Sequence, residues 1–318
     1  MKATNKQDTS VAQVEPMMRE ALAWCVAQLG ACRPASDASR EHPDARASLV
    51  RLETPQGTCY LKLHRDAAHW ASEVHAYEQW ATSFGKYASR LVAVRAEPPL
   101  ALVVSALPGT SLDDATLDRR QQQRAWQMAG AALARLHGWQ RGAWFGLCRR
   151  DGTPLHDPIA DPCAYIGVHF ADWLARAARL DCLTAEEMAV VSAAIERVPV
   201  FAGERPVPCH YDYCPPNWLV DAQGELTGVI DFEFARWDVR VADFARLPGW
   251  EWMTRPDLSD AFYAGYGRAL TTNEQIQLRV ARIQYALGAV VWGSEFGYLG
   301  FATEGRQALR HLASLPWA

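Results

Sequence analysis

The sequence lacks a long hydrophobic run. No window of eighteen or more apolar residues occurs in its 318 residues, so no membrane-spanning helix is predicted. The first ten residues, MKATNKQDTS, also lack the apolar core of a signal peptide. We therefore predict a cytoplasmic protein with a flexible tail over residues 1–10 and no membrane partner.

The cysteines lack the spacing of a zinc site. None of the eight cysteines belongs to a C-x₂-C pair, whereas structural zinc sites need four ligands, commonly supplied by two such pairs. Cys209 and Cys214 flank His210, but no second pair accompanies them. We expect Cys209, which ends an apolar segment, to be a small buried hydrophobic residue.

Basic charge is scarce in the second part of the chain. Residues 1–107 carry 12 basic and 11 acidic residues, whereas residues 108–318 carry 20 basic and 25 acidic ones. The acidic excess argues against a nucleic-acid partner and favours a cationic small substrate. An ordinary solvated surface is an equally good interpretation of so small an excess.

The periodicity of apolar residues predicts an α+β fold with two lobes. The boundary falls between residues 107 and 108, where a β-rich part gives way to a mostly helical one. A short β insert over residues 207–232 interrupts the helices. Strands are predicted at 47–53, 58–63, 91–94 and 100–106, and helices at 11–29, 67–82, 117–137, 163–180, 185–198, 239–247, 257–269, 273–297 and 303–314.

The β insert is the most informative segment. It reads CHYDYCPPNWLV from residue 209, then a DAQG turn, then VIDFEFA from residue 229. A fold-back of its apolar segments would bring Asp212, Asn217 and Asp231 to one end of a small sheet. A carboxylate that orients a hydroxyl, with an amide and a second carboxylate that hold a divalent metal, is the set that phosphoryl transfer needs.

A simpler interpretation of the same segment is structural. His210 by itself is expected to be a buried residue that holds the loop, and Asp212 and Asn217 are both residue types that favour turns. The combined spacing, H-x-D-x₄-N with a hydrophobic-flanked Asp231 further on, favours the functional interpretation.

Lys62 is one of only four lysines, against 28 arginines. It lies in a predicted strand between apolar neighbours, where a lysine is costly to bury without a partner. Glu73 follows in the next predicted helix, and a strand lysine held by a helix glutamate binds nucleotide phosphates in kinases. Glu78 is the competing partner, and a lysine on the solvent face of the strand is the non-functional alternative. Main-chain groups that precede the lobe boundary are predicted to bind an adenine ring: Ser105, Ala106 and Leu107.

Together these motifs resemble the aminoglycoside phosphotransferase family, small-molecule kinases with a protein-kinase-like fold. The resemblance covers residues 47–245. It implies a two-lobed enzyme that uses ATP or GTP with Mg²⁺ in the cleft between the lobes. The matching segments are Lys62 with Glu73, LPG at 107–109, LARLHG at 133–138, HYD at 210–212 with Asn217, IDFE at 230–233, and Asp238 with Asp243.

The resemblance also implies a role for each matching residue. Asp212 would be the catalytic base, and Asn217 and Asp231 would hold the metal. Lys62 would bind the α- and β-phosphates, positioned by Glu73. In addition, Asp243 would anchor the catalytic loop.

Two segments depart from the family pattern. Residues 33–48, where the nucleotide loop falls, contain no glycine. Cys214-Pro-Pro stands where the family often has a single proline. The chain also lacks the G-x₄-G-K-[ST] motif of P-loop kinases.

The expected substrate is a cationic antibiotic, an aminoglycoside or a basic peptide antibiotic, inactivated by phosphorylation of a hydroxyl. A metabolic kinase acting on choline, homoserine or a sugar amine is the alternative. A nucleotide-binding pseudokinase is a third candidate, disfavoured by the presence of all four site residues. The protein is expected to be a monomer or homodimer. Candidate substrate contacts are Glu233, Glu251, Asp257 and Glu295, with Trp250 and Trp252 as stacking surfaces; surface acids and core tryptophans are equally good interpretations of each one singly.

Overall fold

The computed structural model describes residues 6–35, 47–246 and 254–317, with the backbone alone for residues 6–15. Trp250, Glu251 and Trp252, and most of the predicted nucleotide loop at 33–48, lie outside these ranges. The first helix, α1 (Lys6–Leu29), begins five residues before its predicted start. Residues 6–10 of the predicted tail are therefore helical, because polar residues extend a helix without adding to its apolar stripe.

The described residues of the β-rich part form an antiparallel sheet of five strands. They are β1 (Arg33–Pro34), β2 (Ala47–Thr54), β3 (Gly57–His64), β4 (Leu91–Arg95) and β5 (Ala101–Ser105), in the order β1-β2-β3-β5-β4. The predicted turn joins β2 to β3, and Gly57 at its end has a φ of 119° that glycine adopts without steric cost. Lys62 lies in the middle of the sheet, opposite Leu49 and Leu102.

The two faces of this sheet belong to different cores. Ala21 and Cys25 of α1 pack on one face against β2 and β3 in a small core. Helix α2 (Ala67–Gln79) follows β3, and its Trp70 packs with Leu102 in a much larger core. This large core continues without a break past residue 107 into the helical part. The predicted lobes are therefore joined by shared packing.

The second part is mainly helical, as predicted. Helix α3 begins at Arg119 because Asp118 and Gln121 form a capping box, with hydrogen bonds of 2.9 and 2.8 Å between each side chain and the other's backbone N–H. The predicted helix at 239–247 is wrong over its described part, since Arg240–Phe244 forms a short 3₁₀-helix. Its buried Val241 and Phe244 are three residues apart and lie on one side of such a turn.

No helix within the described ranges is long and apolar enough to cross a membrane. The α-helices of this second part that lie within the described residues are α3 (Arg119–Trp139), α4 (Pro162–Leu180), α5 (Ala185–Ile195), α6 (Pro256–Tyr266), α7 (Thr272–Phe296) and α8 (Leu299–Ser314).

The β insert forms two small sheets, so the prediction of a single one is wrong. Strand β7 (Val207–Cys209) pairs with β10 (Arg236–Asp238), whereas β8 (Trp218–Val220) and β9 (Leu226–Val229) pair with each other and with β6 (Thr110–Ser111). The left-handed backbone of Tyr211, with a φ of 66°, turns the chain out of β7 before it reaches β8. The predicted turn at residues 221–224 is confirmed: the Gly224 N–H donates to the Asp221 carbonyl.

Candidate active site

The loop between β7 and β8 is held by Asp243. Its carboxylate accepts hydrogen bonds from the backbone N–H groups of His210 (3.0 Å) and Tyr211 (2.5 Å), and it lies 2.9 Å from His137 Nε2. Asp243 is fully buried, and such a carboxylate is stable only when partners of this kind satisfy it. Because the left-handed conformation of Tyr211 is uncommon for a residue with a side chain, Asp243 fixes a strained turn directly before Asp212.

His210 connects two loops. Its ring is completely buried. Nε2 donates to the Ile230 carbonyl (3.0 Å), and Nδ1 accepts from the backbone N–H of Asp212 (3.3 Å). Since Ile230 directly precedes Asp231, the ring fixes the separation of the two loops that carry Asp212 and Asp231.

Asp212 is bound by an amide and by a cation. Asn217 Nδ2 donates to Asp212 Oδ2 and to the Asp212 carbonyl, both at 2.9 Å. Asn217 ends a short 3₁₀-helix that the two prolines begin. The Arg246 guanidinium forms an ion pair with Asp212 Oδ1. Although burial lowers the pKa of Arg246, the carboxylate of Asp212 raises it above its ordinary value, so this arginine stays charged.

Sequence reasoning missed Arg246. The available signal was its position three residues after Asp243, since the residue that holds the β7–β8 loop also fixes where the following residues begin. Its charge alone gave no signal, because the chain has 28 arginines.

Lys62 contacts three carboxylates. Its Nζ lies 3.1 and 3.0 Å from the two carboxylate oxygens of Glu73 and 3.0 Å from Glu233 Oε2, and it also pairs with Asp231. The Nε2 of His64 lies 2.8 Å from Glu73 Oε2. The structure therefore brings together Lys62, Glu73 and Asp231, and it adds Glu233 to them.

The charges of this cluster shift one another. Burial lowers the pKa of Lys62, but Asp231, Glu73 and Glu233 outweigh it and raise that pKa well above 10.5. Burial raises the pKa of Asp231, but the ammonium of Lys62 outweighs it, so the pKa lies below 3.8. Burial, with the charges of Asp231 and Glu73, raises the pKa of Glu233 above 4.5 despite Lys62. In this cluster, the charged ammonium of Lys62 therefore contacts three acidic side chains: Glu73, Asp231 and Glu233.

The β8–β9 pairing brings Asn217 close to Asp231. Trp218 lies opposite Val229 in this pair, and the Ile230 N–H donates to the Asn217 carbonyl at 3.1 Å. Asn217 and Asp231 therefore leave the same end of the β8–β9 ladder on neighbouring strands, the end at which Asp212 is bound. An amide and two carboxylates here offer the oxygen ligands that Mg²⁺ prefers.

The segment predicted to bind adenine leaves one backbone donor. The Ala106 N–H donates to the Thr58 carbonyl (3.0 Å) and the Ser105 N–H to the Arg90 carbonyl (2.9 Å). Both of these donors are therefore committed, whereas the Leu107 N–H makes no backbone hydrogen bond to another described residue. Leu107 also packs on Gly228, where a Cβ would lie 2.6 Å from the leucine side chain.

Two acids predicted to contact a substrate are paired with arginines. Asp257 is bound by Arg119 and Arg255, each at 3.0 Å, which lowers its pKa. Glu295 pairs with Arg176. Both are therefore neutralised by arginines, which the spacing of acids in a sequence does not reveal.

The other sequence candidates are also placed. Glu233 lies at Lys62 and is not among the residues that line the cavity beside Asp212. Glu78, the competing partner of Lys62, binds Arg150 instead at 2.7 Å. Trp250, Glu251 and Trp252 are outside the described residues.

A large cavity adjoins Asp212. Its volume is about 480 Å³, within the range of roughly 300–1,000 Å³ that is usual for small-molecule sites. Sequence reasoning did not find its walls, because they come from distant segments. The lining residues are Tyr165, Ile166, His169, Trp173, Tyr211, Asp212, Phe234, Asp238, Val239, Ala242, Ala245, Arg246, Ala281, Gln284, Tyr285, Gly288, Ala289, Trp292, Tyr298 and Phe301.

Known structures share this architecture. The crystal structure of aminoglycoside phosphotransferase APH(4)-Ia superposes with a TM-score of 0.71 at 14% identity, over 92% of this chain and 98% of that one. A ternary complex of a thermostable mutant of the same protein with ADP and hygromycin B gives 0.69 at 14% identity, over 91% and 96%. The GDP and kanamycin complex of APH(2")-IIia gives 0.68 at 12% identity, over 93% and 98%. At identities this low, the structural similarity establishes the fold alone. This fold is the protein-kinase-like α+β fold predicted from the sequence.

The sequence itself matches one family model. No curated protein matches the chain. The model of the phosphotransferase enzyme family matches residues 40–279, a range that contains Lys62, Asp212, Asn217 and Asp231. The chain therefore belongs to the phosphotransferase enzyme family.

Proposed function

We propose that this protein transfers the γ-phosphoryl group of ATP or GTP to a hydroxyl of a small molecule. One observation carries the proposal, namely that five side chains form a continuous set of contacts. Lys62 contacts both Glu73 and Asp231. The β8–β9 register brings Asp231 next to Asn217, and Asn217 in turn binds Asp212. Phosphoryl transfer depends on positioning and electrostatic stabilisation, and these residues supply both.

Asp212 is the proposed catalytic base. The acceptor hydroxyl oxygen forms a bond to the γ-phosphorus while the bond from that phosphorus to the β,γ-bridging oxygen breaks. The hydroxyl proton passes to the Asp212 carboxylate, and the nucleoside diphosphate leaves with the electron pair of the broken bond. The hydrogen bond from Asn217 holds the carboxylate in place for this proton transfer.

Asp231 and Asn217 are the residues proposed to hold Mg²⁺, with Glu233 beside them. The donors fit a hard divalent cation, since they are carboxylate and amide oxygens. Lys62 is the cation that now balances Asp231 and Glu233. A bound Mg²⁺ would supply charge that offsets the phosphate oxygens. Lys62 would then be released toward the α- and β-phosphates, with Glu73 retaining it at the sheet.

The acceptor class is a separate question. The likeness to complexes with hygromycin B and kanamycin supports the cationic antibiotic expected from the sequence. However, Asp257 and Glu295, which were assigned to such a substrate, are paired with arginines. A choline, homoserine or sugar-amine kinase remains the metabolic alternative.

The test uses Asp212→Asn, with Asp157→Asn at an exposed position as the control. We expect turnover with an accepted alcohol to fall by about 10²–10⁴-fold. The affinity for Mg²⁺ with ATP or GTP, measured by calorimetry, should stay close to that of the parent, because the base acts on the hydroxyl. Nucleotide hydrolysis without an alcohol supplies a readout that needs no knowledge of the acceptor. Near-normal turnover in Asp212→Asn would exclude the proposed base, and a failure to bind either nucleotide would exclude the function.

A further inference from the structure

The cavity beside Asp212 has aromatic walls. Trp292 and Tyr298 stack with ring centroids 4.7 Å apart, and Phe301 meets Trp292 edge-on at 5.8 Å. Phe301 also meets Tyr285 edge-on at 6.3 Å. Rings locked against one another in this way form a preorganised apolar surface, which favours ring-bearing or apolar ligands.

Three of the aromatic rings are already occupied by cations of the protein. The guanidinium of Arg176 lies 4.3 Å from the centre of the Trp173 ring. Two more arginines bind cavity rings in the same way: Arg236 lies 3.8 Å from the Tyr211 ring and Arg246 lies 5.2 Å from the Tyr285 ring. A ligand ammonium needs a free ring face to bind by cation–π attraction, and a guanidinium already covers one face of each of these three rings. Arg246 is itself a lining residue of the cavity.

The acids among the described lining residues are also committed. Asp212 pairs with Arg246, and Asp238 Oδ2 accepts a hydrogen bond from the Tyr165 hydroxyl at 2.8 Å. Burial, followed by the charge of Arg236, lowers the pKa of His169 to about 4, so its ring is neutral near pH 7. Both acids are therefore engaged by groups of the protein, one by an arginine and one by a tyrosine hydroxyl, and the neutral His169 adds no charge. These pairings weaken the attraction of the cavity for a polycation.

We propose that the acceptor alcohol is neutral and largely apolar, with a ring system that fills the aromatic part of the cavity. Its hydroxyl reaches Asp212, which lines the same cavity. This substrate class rests on the proposed phosphotransfer function, but its binding preference is measurable without turnover.

Equilibrium dialysis tests the preference with four probes. Estradiol and naphthylethanol are neutral ring-bearing alcohols of two sizes, kanamycin is a polycation and choline is a small quaternary ammonium. We expect at least one neutral probe to bind saturably, roughly tenfold or more tighter than either cation. The same order is expected with Mg²⁺ and a non-hydrolysable ATP analogue present, because the cavity and Lys62 are separate parts of the site.

Phe301→Ala locates the binding. Loss of one aromatic partner should weaken the binding of the neutral probe roughly threefold to tenfold. Leu299→Ala is the matched control, since Leu299 lies on the same helix, is 73% exposed and is not among the cavity residues. Unchanged nucleotide affinity in both variants shows that both are folded.

The outcomes separate this inference from the proposed function. Tighter binding of kanamycin or choline than of both neutral alcohols, or no loss in Phe301→Ala, overturns the neutral-alcohol class and leaves phosphotransfer intact. A neutral alcohol that binds in the cavity but is never phosphorylated in the presence of Mg²⁺ and ATP or GTP upholds the binding class and counts against phosphotransfer.

Discussion

At the residue scale, the site depends on a small number of buried polar groups with several partners each. Asp243 satisfies two backbone N–H groups and a histidine, and Lys62 binds three carboxylates. Such networks are stable only when every member has a partner. Changing one member therefore alters stability as well as function, and the two effects have to be measured separately.

Asp243→Ala should destabilise the protein. It leaves the N–H groups of His210 and Tyr211 buried without an acceptor, and each such loss costs about 1–3 kcal/mol. We expect the free energy of unfolding in urea to fall by roughly 2–5 kcal/mol. Asp243→Asn, which keeps one acceptor oxygen, should lose less. If Asp243→Ala lowers the free energy of unfolding no more than Asp157→Ala does at an exposed position, the proposed anchoring is wrong.

Asp231→Ala should weaken Mg²⁺-dependent nucleotide binding more than Asn217→Ala does. A carboxylate offers a full negative charge to a hard cation, whereas an amide offers a dipole. Asp231→Ala also frees Lys62 from one of its three partners, so nucleotide binding without Mg²⁺ should be retained. Titration of Mg²⁺ against ATP affinity in both variants measures the order. The same Mg²⁺ dependence in parent and Asp231→Ala would rule out Asp231 as a ligand.

At the element scale, helix ends place the walls of the cavity. Helix α7, which supplies six of its lining residues, begins at a capping box between Thr271 and Glu274. Arg268 also binds Glu274, through bonds of 2.7 and 2.6 Å, and Arg240 adds a contact of 3.2 Å. One glutamate thus joins the start of α7 to the segment that leads into Asp243.

Glu274→Gln should destabilise the protein in a pH-dependent way. The bonds to Arg268 are the largest cause that lowers the pKa of Glu274 from 4.5 to about 2. As the pH falls, Glu274 is protonated in the unfolded chain before it is protonated in the folded protein. The stabilisation is therefore complete above about pH 4.5 and is lost as the pH falls toward 2. We expect a loss of about 1–3 kcal/mol at pH 7, shrinking at low pH.

Urea unfolding at pH 7 and at pH 3 measures this difference. Glu304→Gln, at an exposed position of α8, is the control and should change little at either pH. A loss for Glu274→Gln that is the same at both values would show that the charge of Glu274 is not responsible.

At the scale of the whole molecule, the two parts share one core. The large core runs from Trp70 and Leu102 through Trp126 and Trp218 to the helices that follow. Because unfolding of either part would expose apolar surface of the other, we expect one cooperative thermal transition. Mg²⁺ with ATP or GTP should raise the midpoint temperature of this single transition, because a ligand that binds the folded state stabilises the whole cooperative unit.

Scanning calorimetry with and without nucleotide tests this cooperativity. The expected record is one peak, which moves to higher temperature when nucleotide is added. Two separate transitions, with only one of them responding to nucleotide, would show that residues 1–107 and 108–318 are independent domains.

The sequence by itself determined the features that local chemistry dictates. Alternation and 3.6-residue periodicity located most strands and helices, because those patterns reflect contacts within one element. The spacing around Asp212 and the unusual buried position of Lys62 indicated phosphoryl transfer, since few other roles need those residue types together. The fold and the family membership followed from the same motifs and are confirmed.

Only the tertiary structure decided which distant residues meet. The pairing of β7 with β10, the ion pair of Arg246 with Asp212 and the neutralisation of Asp257 and Glu295 each join segments that the sequence does not mark as neighbours. The charge of a side chain is visible in a sequence, but its partner is set by packing over long sequence separations. The acidic excess of the second part favoured a cationic substrate no more than a solvated surface. The folded chain pairs Asp257 and Glu295 with arginines and places aromatic rings in the cavity beside Asp212.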